Sequence, residues 1–277
     1  MITNSILVLG ATGKTGRRLV PHLRAAGATV RAASRSGEVR FDWADESTWS
    51  GALDGATAAY LVAPEESEPI ASFVQQAVAG GVRRFVVLSG RAADKFGDVF
   101  GQSMLAAERA VQATSADWTI LRANNFNQNF DEDLFHAPLL AGRLALPAGE
   151  VPEPFVDVAD IAEVAAVALT EDGHAGQTYD LSGPRALTFE AAAKTIATAT
   201  GRSIGFVELT SAEYVAELLA EGFPEEAARA LAAMFDLMRE GHLAEPADGV
   251  RRVLGRAPRD FESYVESAAA SGAWRQR

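Results

Sequence analysis

Residues 5–16 read Ser5-Ile-Leu-Val-Leu-Gly-Ala-Thr-Gly-Lys-Thr-Gly16, an apolar run that passes directly into glycines at positions 10, 13 and 16. Gly10 permits a tight turn, and Gly13 lacks the Cβ that would hold backbone N–H groups away from phosphate oxygens. Gly16 lets the next helix, which is predicted to end at Gly27, lie close to the sheet. The order of strand, glycine loop and helix predicts a binding site for the pyrophosphate of a dinucleotide. The alternative is a glycine-rich connection that binds nothing.

The second strand, predicted over 28–36, indicates which dinucleotide binds. In folds that bind NAD, an Asp or Glu at the end of this strand accepts hydrogen bonds from the ribose hydroxyls. Here the strand ends in Ala33-Ser-Arg-Ser36, without a carboxylate. Arg35 can donate two N–H groups to a 2′-phosphate, and Lys14 in the glycine loop would add a second positive charge. We therefore predict NADP(H) as the cofactor; the alternative is that Arg35 is a solvated loop charge.

Composition is that of a globular protein and excludes several partners. The 277 residues are 48% apolar and 22% charged, and 37 acidic side chains outnumber 25 basic ones. Because no cluster of Lys and Arg occurs in the sequence, nucleic acid and anionic membrane surfaces are not expected as partners. No apolar run approaches the roughly 18 residues of a membrane span. The first strand leaves no room for a signal peptide, so we expect a cytoplasmic protein.

The residue types also exclude whole classes of site. The sequence has no cysteine, which excludes disulfides, thiolate chemistry, iron–sulfur clusters and cysteine-based zinc sites. The histidines are scattered without the spacing of metal ligands, so no metal site is expected. His136 is a candidate proton donor, and the alternative is a surface or packing role.

Strand and helix patterns alternate through the first half of the chain. Strands are predicted over 6–9, 28–36, 39–42, 57–64, 84–89 and 118–122, and helices over 70–79 and 104–114. The run 84–89 is apolar almost throughout, as in a strand that is covered on both faces. This order predicts an α/β fold with a doubly wound parallel sheet, the Rossmann fold.

The rest of the chain is expected to add a smaller, mainly helical C-terminal region that binds the substrate. A strand at 155–157, a helix at 159–169 and a strand at 177–181 are predicted to return to the sheet. The smaller region is predicted to contain helices at 189–200, 212–221 and 225–240, with an edge strand at 204–209. We expect a dinucleotide-binding domain over 1–183 and a substrate-binding region over 184–277, with interleaved elements.

A segment rich in amides and aromatic rings follows the strand at 118–122. It contains Asn124, Asn125, Phe126, Asn129 and Phe130. Such side chains can hydrogen-bond carbonyl groups and stack on a flat ring, so we predict that the last four line the substrate pocket. The alternative is an ordinary loop and helix cap, because Asn suits both.

Several segments resemble the NmrA-like atypical short-chain dehydrogenase/reductases. They are Gly10-Ala-Thr-Gly-Lys-Thr-Gly16, Arg83-Arg-Phe-Val-Val-Leu-Ser89, Trp118-Thr-Ile-Leu-Arg122 with Asn125-Phe126, Phe155-Val-Asp-Val-Ala-Asp-Ile161 and the tail Leu254-Gly-Arg-Ala-Pro-Arg-Asp-Phe261. The likeness extends over essentially the whole chain. Within the family the chain looks most similar to the NAD(P)H-dependent quinone and azo-dye reductases.

The resemblance implies NADPH contacts at the ends of successive strands. The adenine would meet Asp42, the middle of the cofactor would meet Ala63 and Pro64, and the nicotinamide ribose would lie near Ser89. The implied contacts are Gly10, Thr12, Gly13, Lys14, Thr15, Gly16, Arg35, Ser36, Asp42, Ala63, Pro64, Ser89, Gly90 and Asn124.

A late helix carries Phe235 and Met238 three residues apart. Such a stripe is typical of a core. Because the late helices cover the substrate cleft in the resembling family, both side chains are also candidate substrate contacts.

The sequence departs from the family at the catalytic helix. Typical short-chain reductases use Tyr-x-x-x-Lys, in which the Lys lowers the pKa of the Tyr so that the phenol can protonate an alkoxide. Alignment on Glu108 puts Phe100 and Met104 at those two positions, and neither can titrate. The catalytic residue therefore stays unknown, and the candidates are Ser89, Asn125 and His136.

Hydride transfer without such an acid suits substrates whose reduced anion is delocalised, because water can protonate it. We therefore predict an NADPH-dependent reductase of a planar, electron-poor aromatic substrate such as a quinone; a tailoring step on an aromatic natural product fits equally well. The alternative is a non-catalytic redox sensor that binds NADP(H) and reports its state to a protein partner. An isomerase or dehydratase is a third option.

The sequence does not predict how many subunits the protein has. A homo-oligomer is among the options.

Overall fold

The computed structural model describes residues 5–95 and 101–275, and within them seven strands form one sheet with the order β3-β2-β1-β4-β5-β6-β8. In chain order the strands are β1 (Ser5–Leu9), β2 (Thr29–Ser34), β3 (Val39–Arg40), β4 (Ala58–Val62), β5 (Arg84–Gly90), β6 (Asp117–Ala123), β7 (Arg143–Leu146), β8 (Gln177–Leu181) and β9 (Gly205–Glu208). The helices are α1 (Gly16–Ala25), α2 (Trp49–Leu53), α3 (Glu68–Gly80), α4 (Gln102–Gln112), α5 (His136–Ala141), α6 (Val158–Thr170), α7 (Phe189–Thr200), α8 (Ser211–Ala220), α9 (Glu225–Met238), α10 (Gly249–Leu254) and α11 (Phe261–Ser271).

The large sheet is doubly wound and parallel, as predicted. Every neighbouring pair of its strands is parallel, so all the strand C-termini meet at one edge. The chain proceeds from β1 outward to β3 and then crosses to β4 on the other side of β1. Open α/β sheets bind ligands at such a reversal of strand order.

Apolar side chains on both faces of β1 explain why helices cover the sheet on two sides. Ile6 and Val8 pack in one cluster with residues of α1 and α6. Leu7 and Leu9 pack in a second cluster with residues of α2, α3 and α4. Successive side chains of a strand point to opposite faces, so a continuous apolar run requires burial on both.

A third cluster lies outside the large sheet and is rich in phenylalanine. The rings of Phe130 and Phe155 meet edge-on at 5.1 Å, and Phe155 meets Phe189 at the same distance. Phe235 and Phe261 belong to the same cluster. Its members thus come from both sides of residue 183, and the division of the chain at that residue stays a prediction.

Two predicted strands differ in the structure. Residues 155–157 form no strand, because Val156 makes only an isolated bridge with Phe126 and the chain then enters α6. The strand predicted at 204–209 is the shorter β9, and its partner is β7, which the sequence did not reveal. The pair forms a separate two-stranded parallel sheet within the described residues.

Candidate functional site

The glycine loop between β1 and α1 folds back on its own backbone. Gly10 has φ of +65°, and the N–H of Gly13 donates to its carbonyl oxygen at 2.9 Å. A Cβ on Gly16 would lie 2.3 Å from that oxygen and 2.7 Å from the Cα of Ala11. Glycine is therefore required at position 16 because the backbone of the loop, at Gly10 and Ala11, lies too close for a Cβ. The sequence had predicted that the sheet would impose this requirement. Thr15, within the loop, is buried.

A cleft of about 620 Å³ opens where β1, β2 and β4 end. Eight of the residues predicted to contact the cofactor line it: Gly10, Thr12, Gly13, Arg35, Ser36, Asp42, Ala63 and Pro64. The other lining residues were not predicted from the sequence; they are Ser34, Phe41, Trp43, Ala44, Val62, Glu65 and Glu66. Ser34 and Val62 are the last residues of β2 and β4, whereas the others follow β3 or β4, so position relative to a strand end was the signal that could have found them.

Charge in this cleft is asymmetric. Among the described lining residues, Arg35 is the one Lys or Arg side chain, and it is exposed. Asp42, Glu65 and Glu66 are acidic, and one carboxylate oxygen of Asp42 accepts the N–H of Ala44 at 3.1 Å. An anionic group in this cleft would therefore find its cationic partner at the end of β2.

One buried hydroxyl in the wall of the cleft has no internal partner. Ser34 is 8% exposed, and its Oγ makes no hydrogen bond within the described chain. Buried hydroxyls are normally satisfied, so this one favours a polar ligand group nearby. The indole of Trp43 and the ring of Phe41 meet edge-on at 5.1 Å in the same wall.

Lys14 does not line the cleft that contains Arg35. Its ammonium donates to Asn129 Oδ1 at 2.8 Å and pairs with Asp133, and it lies 5.8 Å from the centre of the Phe126 ring. The glycine loop is thereby joined to the amide-rich segment that follows β6. The positive charge predicted to reinforce Arg35 is instead beside the segment that follows β6.

Ser89, at the end of β5, is buried, and its hydroxyl is engaged inside the protein. Ser89 Oγ donates to Glu108 Oε1 at 2.5 Å. The other oxygen of Glu108 accepts from Arg122 Nη2 at 2.6 Å, and the hydrogen bonding of Arg122 to Glu108 raises the pKa of Arg122. Gly90 is the last residue of β5 and is half-buried. A catalytic role for Ser89 stays a prediction.

Asn124 connects the sheet to the C-terminal region. It is buried, and its Nδ2 donates to Glu153 Oε1 at 2.7 Å and to the carbonyl of Leu243 at 3.2 Å. Its Oδ1 accepts from Arg91 Nη1 at 3.0 Å. All polar atoms of this amide are thus used within the protein.

The substrate candidates separate into an edge group and a core group. Asn125, Phe126 and Asn129 are half-buried at the end of β6, and Asn125 Nδ2 contacts Met238 Sδ at 3.8 Å. Phe130 and Phe235 have no exposed surface, because both belong to the third apolar cluster. The prediction that these two line a pocket is corrected accordingly.

His136 is not at the strand ends. It starts α5, and its Nε2 lies 2.8 Å from the carbonyl oxygen of Ala273. Phe100, the residue at the expected tyrosine position, lies outside the described residues. Met104 lies in α4 and is half-buried.

The structure adds residues that sequence reasoning missed at this edge. Glu153 is 2% exposed, and burial raises its pKa to about 7. Ala92 has φ of 55°, the left-handed region, two residues after β5. Neither residue carries a sequence signal, and the hydrogen bonds of Glu153 are made with a different segment of the chain.

The described residues provide no metal centre or membrane helix. No group of three or more His, Cys, Asp or Glu side chains in the described ranges is placed to hold a metal ion. Nor does any described helix combine the length and apolar character that crossing a membrane requires.

Comparison with known proteins places this geometry in a family. The model of the NmrA-like family matches residues 2–265. The chain belongs to the NmrA-like family. An uncharacterized oxidoreductase, YesF, of Bacillus subtilis (strain 168) is 32% identical over 98% of this NmrA-like chain and 97% of its own. The NAD(P)H azoreductase of Xenophilus azovorans is 31% identical, with 96% and 98% covered.

A solved structure shares the fold over nearly the whole length. The Citrobacter sp. triphenylmethane reductase, complexed with NADP(H), superimposes with a TM-score of 0.81 at 24% identity. The match covers 95% of this NmrA-like chain and 99% of the reductase. At this identity the likeness shows a common architecture.

Proposed function

We propose that this chain is an NADPH-dependent reductase that transfers a hydride to a planar, electron-poor aromatic substrate such as a quinone. The observation that carries the proposal is the cleft at the ends of β1, β2 and β4, with Arg35 as its cation. The family relatives that are oxidoreductases support the reaction class, and the azoreductase among them supports a conjugated substrate.

The residues present fit a phosphorylated dinucleotide. Gly10, Thr12 and Gly13 would face the pyrophosphate at the start of α1, where backbone N–H groups and the helix dipole favour anions. Arg35 would hold the 2′-phosphate, and the unpartnered Ser34 hydroxyl would face the ribose. Trp43 would border the adenine.

The substrate side of the site suits orientation more than acid catalysis. When bound, NADPH supplies a hydride, which carries two electrons, and water supplies the proton that completes the reduced product. Asn125 and Phe126 lie half-buried after β6 and would hold the substrate plane. The candidate acids Ser89 and His136 each have a partner inside the protein. Proximity and orientation are then the main sources of rate.

The test is stopped-flow oxidation of NADPH with a series of benzoquinones and naphthoquinones. We expect at least one of them to accelerate oxidation above the rate without enzyme. If none does while calorimetry shows that NADPH and NADP⁺ bind with different affinities, the chain is a sensor and the proposal is wrong.

A role in natural-product tailoring and a cytoplasmic location are further parts of the proposal. Turnover of aromatic polyketide quinones would support the role in tailoring.

Substitution of Arg35 by glutamate tests the cofactor assignment. We expect Arg35→Glu to weaken NADPH binding by about tenfold or more and to leave NADH binding nearly unchanged, because the new carboxylate repels only the 2′-phosphate. The measurement is a fluorescence titration of each cofactor. Arg40→Glu is the matched control, since Arg40 is exposed on the neighbouring strand β3 but does not line the cleft. Equal losses for both cofactors in Arg35→Glu would show that the 2′-phosphate lies elsewhere.

A further inference from the structure

Glu153 differs from the other buried carboxylates of the described chain. Glu108 is paired with Arg122, and Asp160 with two arginines. Asp157 caps the N-terminus of α6, where the helix dipole favours a negative charge. Among the described residues, Glu153 has neither a salt bridge nor a helix N-terminus, although it is 2% exposed. An isolated buried charge is costly, so the neutral carboxyl is favoured there.

The hydrogen bonds of Glu153 come from the segment that follows β6. Its Oε1 accepts Asn124 Nδ2 at 2.7 Å and the backbone N–H of Asn125 at 3.3 Å. Its own backbone is fixed by two hydrogen bonds with Leu187, at 2.9 and 3.0 Å. The carboxyl therefore forms a rigid support behind Asn125, which is half-buried at the expected substrate edge.

Arg91 is the cation whose charge acts on Glu153, and it is already hydrogen-bonded to other acceptors. Arg91, after β5, donates to Asn124 Oδ1 at 3.0 Å and to the carbonyl of Glu245, in the connection between α9 and α10, at 2.5 Å. Its Nε lies 3.9 Å from Asp180 on β8. The amide of Asn124 thus separates Arg91 from Glu153. Arg91 partly offsets burial, yet the pKa of Glu153 still lies at about 7.

We propose that Glu153 is a positioning residue that holds Asn124 and Asn125 and that the reductase requires in its neutral form. This role rests on the proposed reductase function. Hydride transfer adds two electrons to the substrate, which becomes an anion and then takes a proton from water; Glu153 itself loses no proton. An ionised carboxylate behind Asn125 would place a negative charge, only partly offset by Arg91, next to the expected substrate edge where that anion forms. In a poorly solvated site such repulsion is strong.

The test compares the pH dependence of quinone reduction in the parent, Glu153→Gln and Glu150→Gln. Gln keeps an accepting oxygen but cannot ionise, and Glu150 is an exposed carboxylate of the same segment. We expect kcat/KM of the parent to fall about twentyfold between about pH 6.5 and about pH 8.5, with Glu150→Gln following it. The kcat/KM of Glu153→Gln should not depend on pH over this range, and at about pH 6.5 it should lie within about threefold of the parent value. Glu153→Leu, which lacks the acceptor, should lose kcat while its Kd for NADPH is unchanged.

Thermal unfolding provides a second measurement that does not depend on turnover. Burial raises the pKa of Glu153 from 4.5 to about 7, so the folded chain binds the proton more tightly than the unfolded chain. This tighter proton binding at Glu153 stabilises the folded chain. The stabilisation is fully present below about pH 4.5 and is lost as the pH rises through about 7. Glu153→Gln should melt above the parent at about pH 8, and the difference should shrink toward about pH 5.

The outcomes separate the two claims. Parallel pH profiles in two active proteins, the parent and Glu153→Gln, would overturn the role of Glu153 alone. If the parent protein does not oxidise NADPH with any of the quinones, both the proposed function and this role of Glu153 are wrong. A pH-independent difference in melting temperature would show that Glu153 is ionised throughout, which also overturns the proposal.

Discussion

Replacing Gly16 by alanine is expected to weaken NADPH binding by about a hundredfold or more. The added Cβ would lie 2.3 Å from the carbonyl oxygen of Gly10 and 2.7 Å from the Cα of Ala11. Both neighbours are backbone atoms, so relief requires the turn itself to open. Gly10 is held at φ of +65° by the same turn. Opening it would displace the N–H groups at the start of α1 that are expected to face the pyrophosphate.

Gly80→Ala is the matched control for this substitution. Gly80 lies in the last turn of α3, is exposed, and has nothing within 4 Å of an added Cβ. There alanine should stabilise the helix by up to about 1 kcal/mol and leave cofactor affinity unchanged. Fluorescence titration with NADPH and thermal melts measure both effects. Unaltered affinity in a folded Gly16→Ala protein would mean that the loop does not hold the pyrophosphate.

The sheet and its loop were predictable because their signals are local. An apolar strand followed by spaced glycines needs no partner to be recognised, and β1 and its turn formed as the sequence indicated. Arg35, at the end of β2, followed from strand position, whereas Ala63 and Pro64, after β4, came from the resemblance to the family. In contrast, β7 has only four residues, Arg143–Leu146, and its pairing with β9 bridges about sixty positions of chain.

The direction of a long side chain was not predictable. Lys14 was expected to reinforce Arg35, but an acidic partner at Asp133, 119 residues away, draws it to the other side of the loop. Phe130 and Phe235 illustrate the same difficulty for aromatic rings. A phenylalanine after a strand or on a late helix suits a pocket and a core equally, and only the contacts with other rings decide.

Asp160 is expected to contribute most to stability among the ion pairs. Its side chain has no exposed surface, and it accepts from Arg256 Nη2 and from the backbone N–H of Arg259, each at 2.7 Å. These bonds join α6 to the tail that precedes α11. Asp160→Ala should lower the free energy of unfolding by about 3 kcal/mol, because two guanidinium groups and a backbone N–H lose a buried acceptor. Denaturant unfolding measures this difference.

The large effect expected for Asp160→Ala comes from burial of the carboxylate rather than from the distance between the charges. A second, exposed ion pair tests the effect of burial separately. Asp172 lies 2.6 Å from Arg84, nearly the same separation, but the Asp172 side chain is 96% exposed. Water screens such a pair, so Asp172→Ala should cost less than about 1 kcal/mol. The two variants remove the same group from the same kind of partner. Similar losses in both would mean that Glu163, which also pairs with Arg256 and Arg259, compensates for Asp160 and that the buried carboxylate is not what joins α6 to the tail.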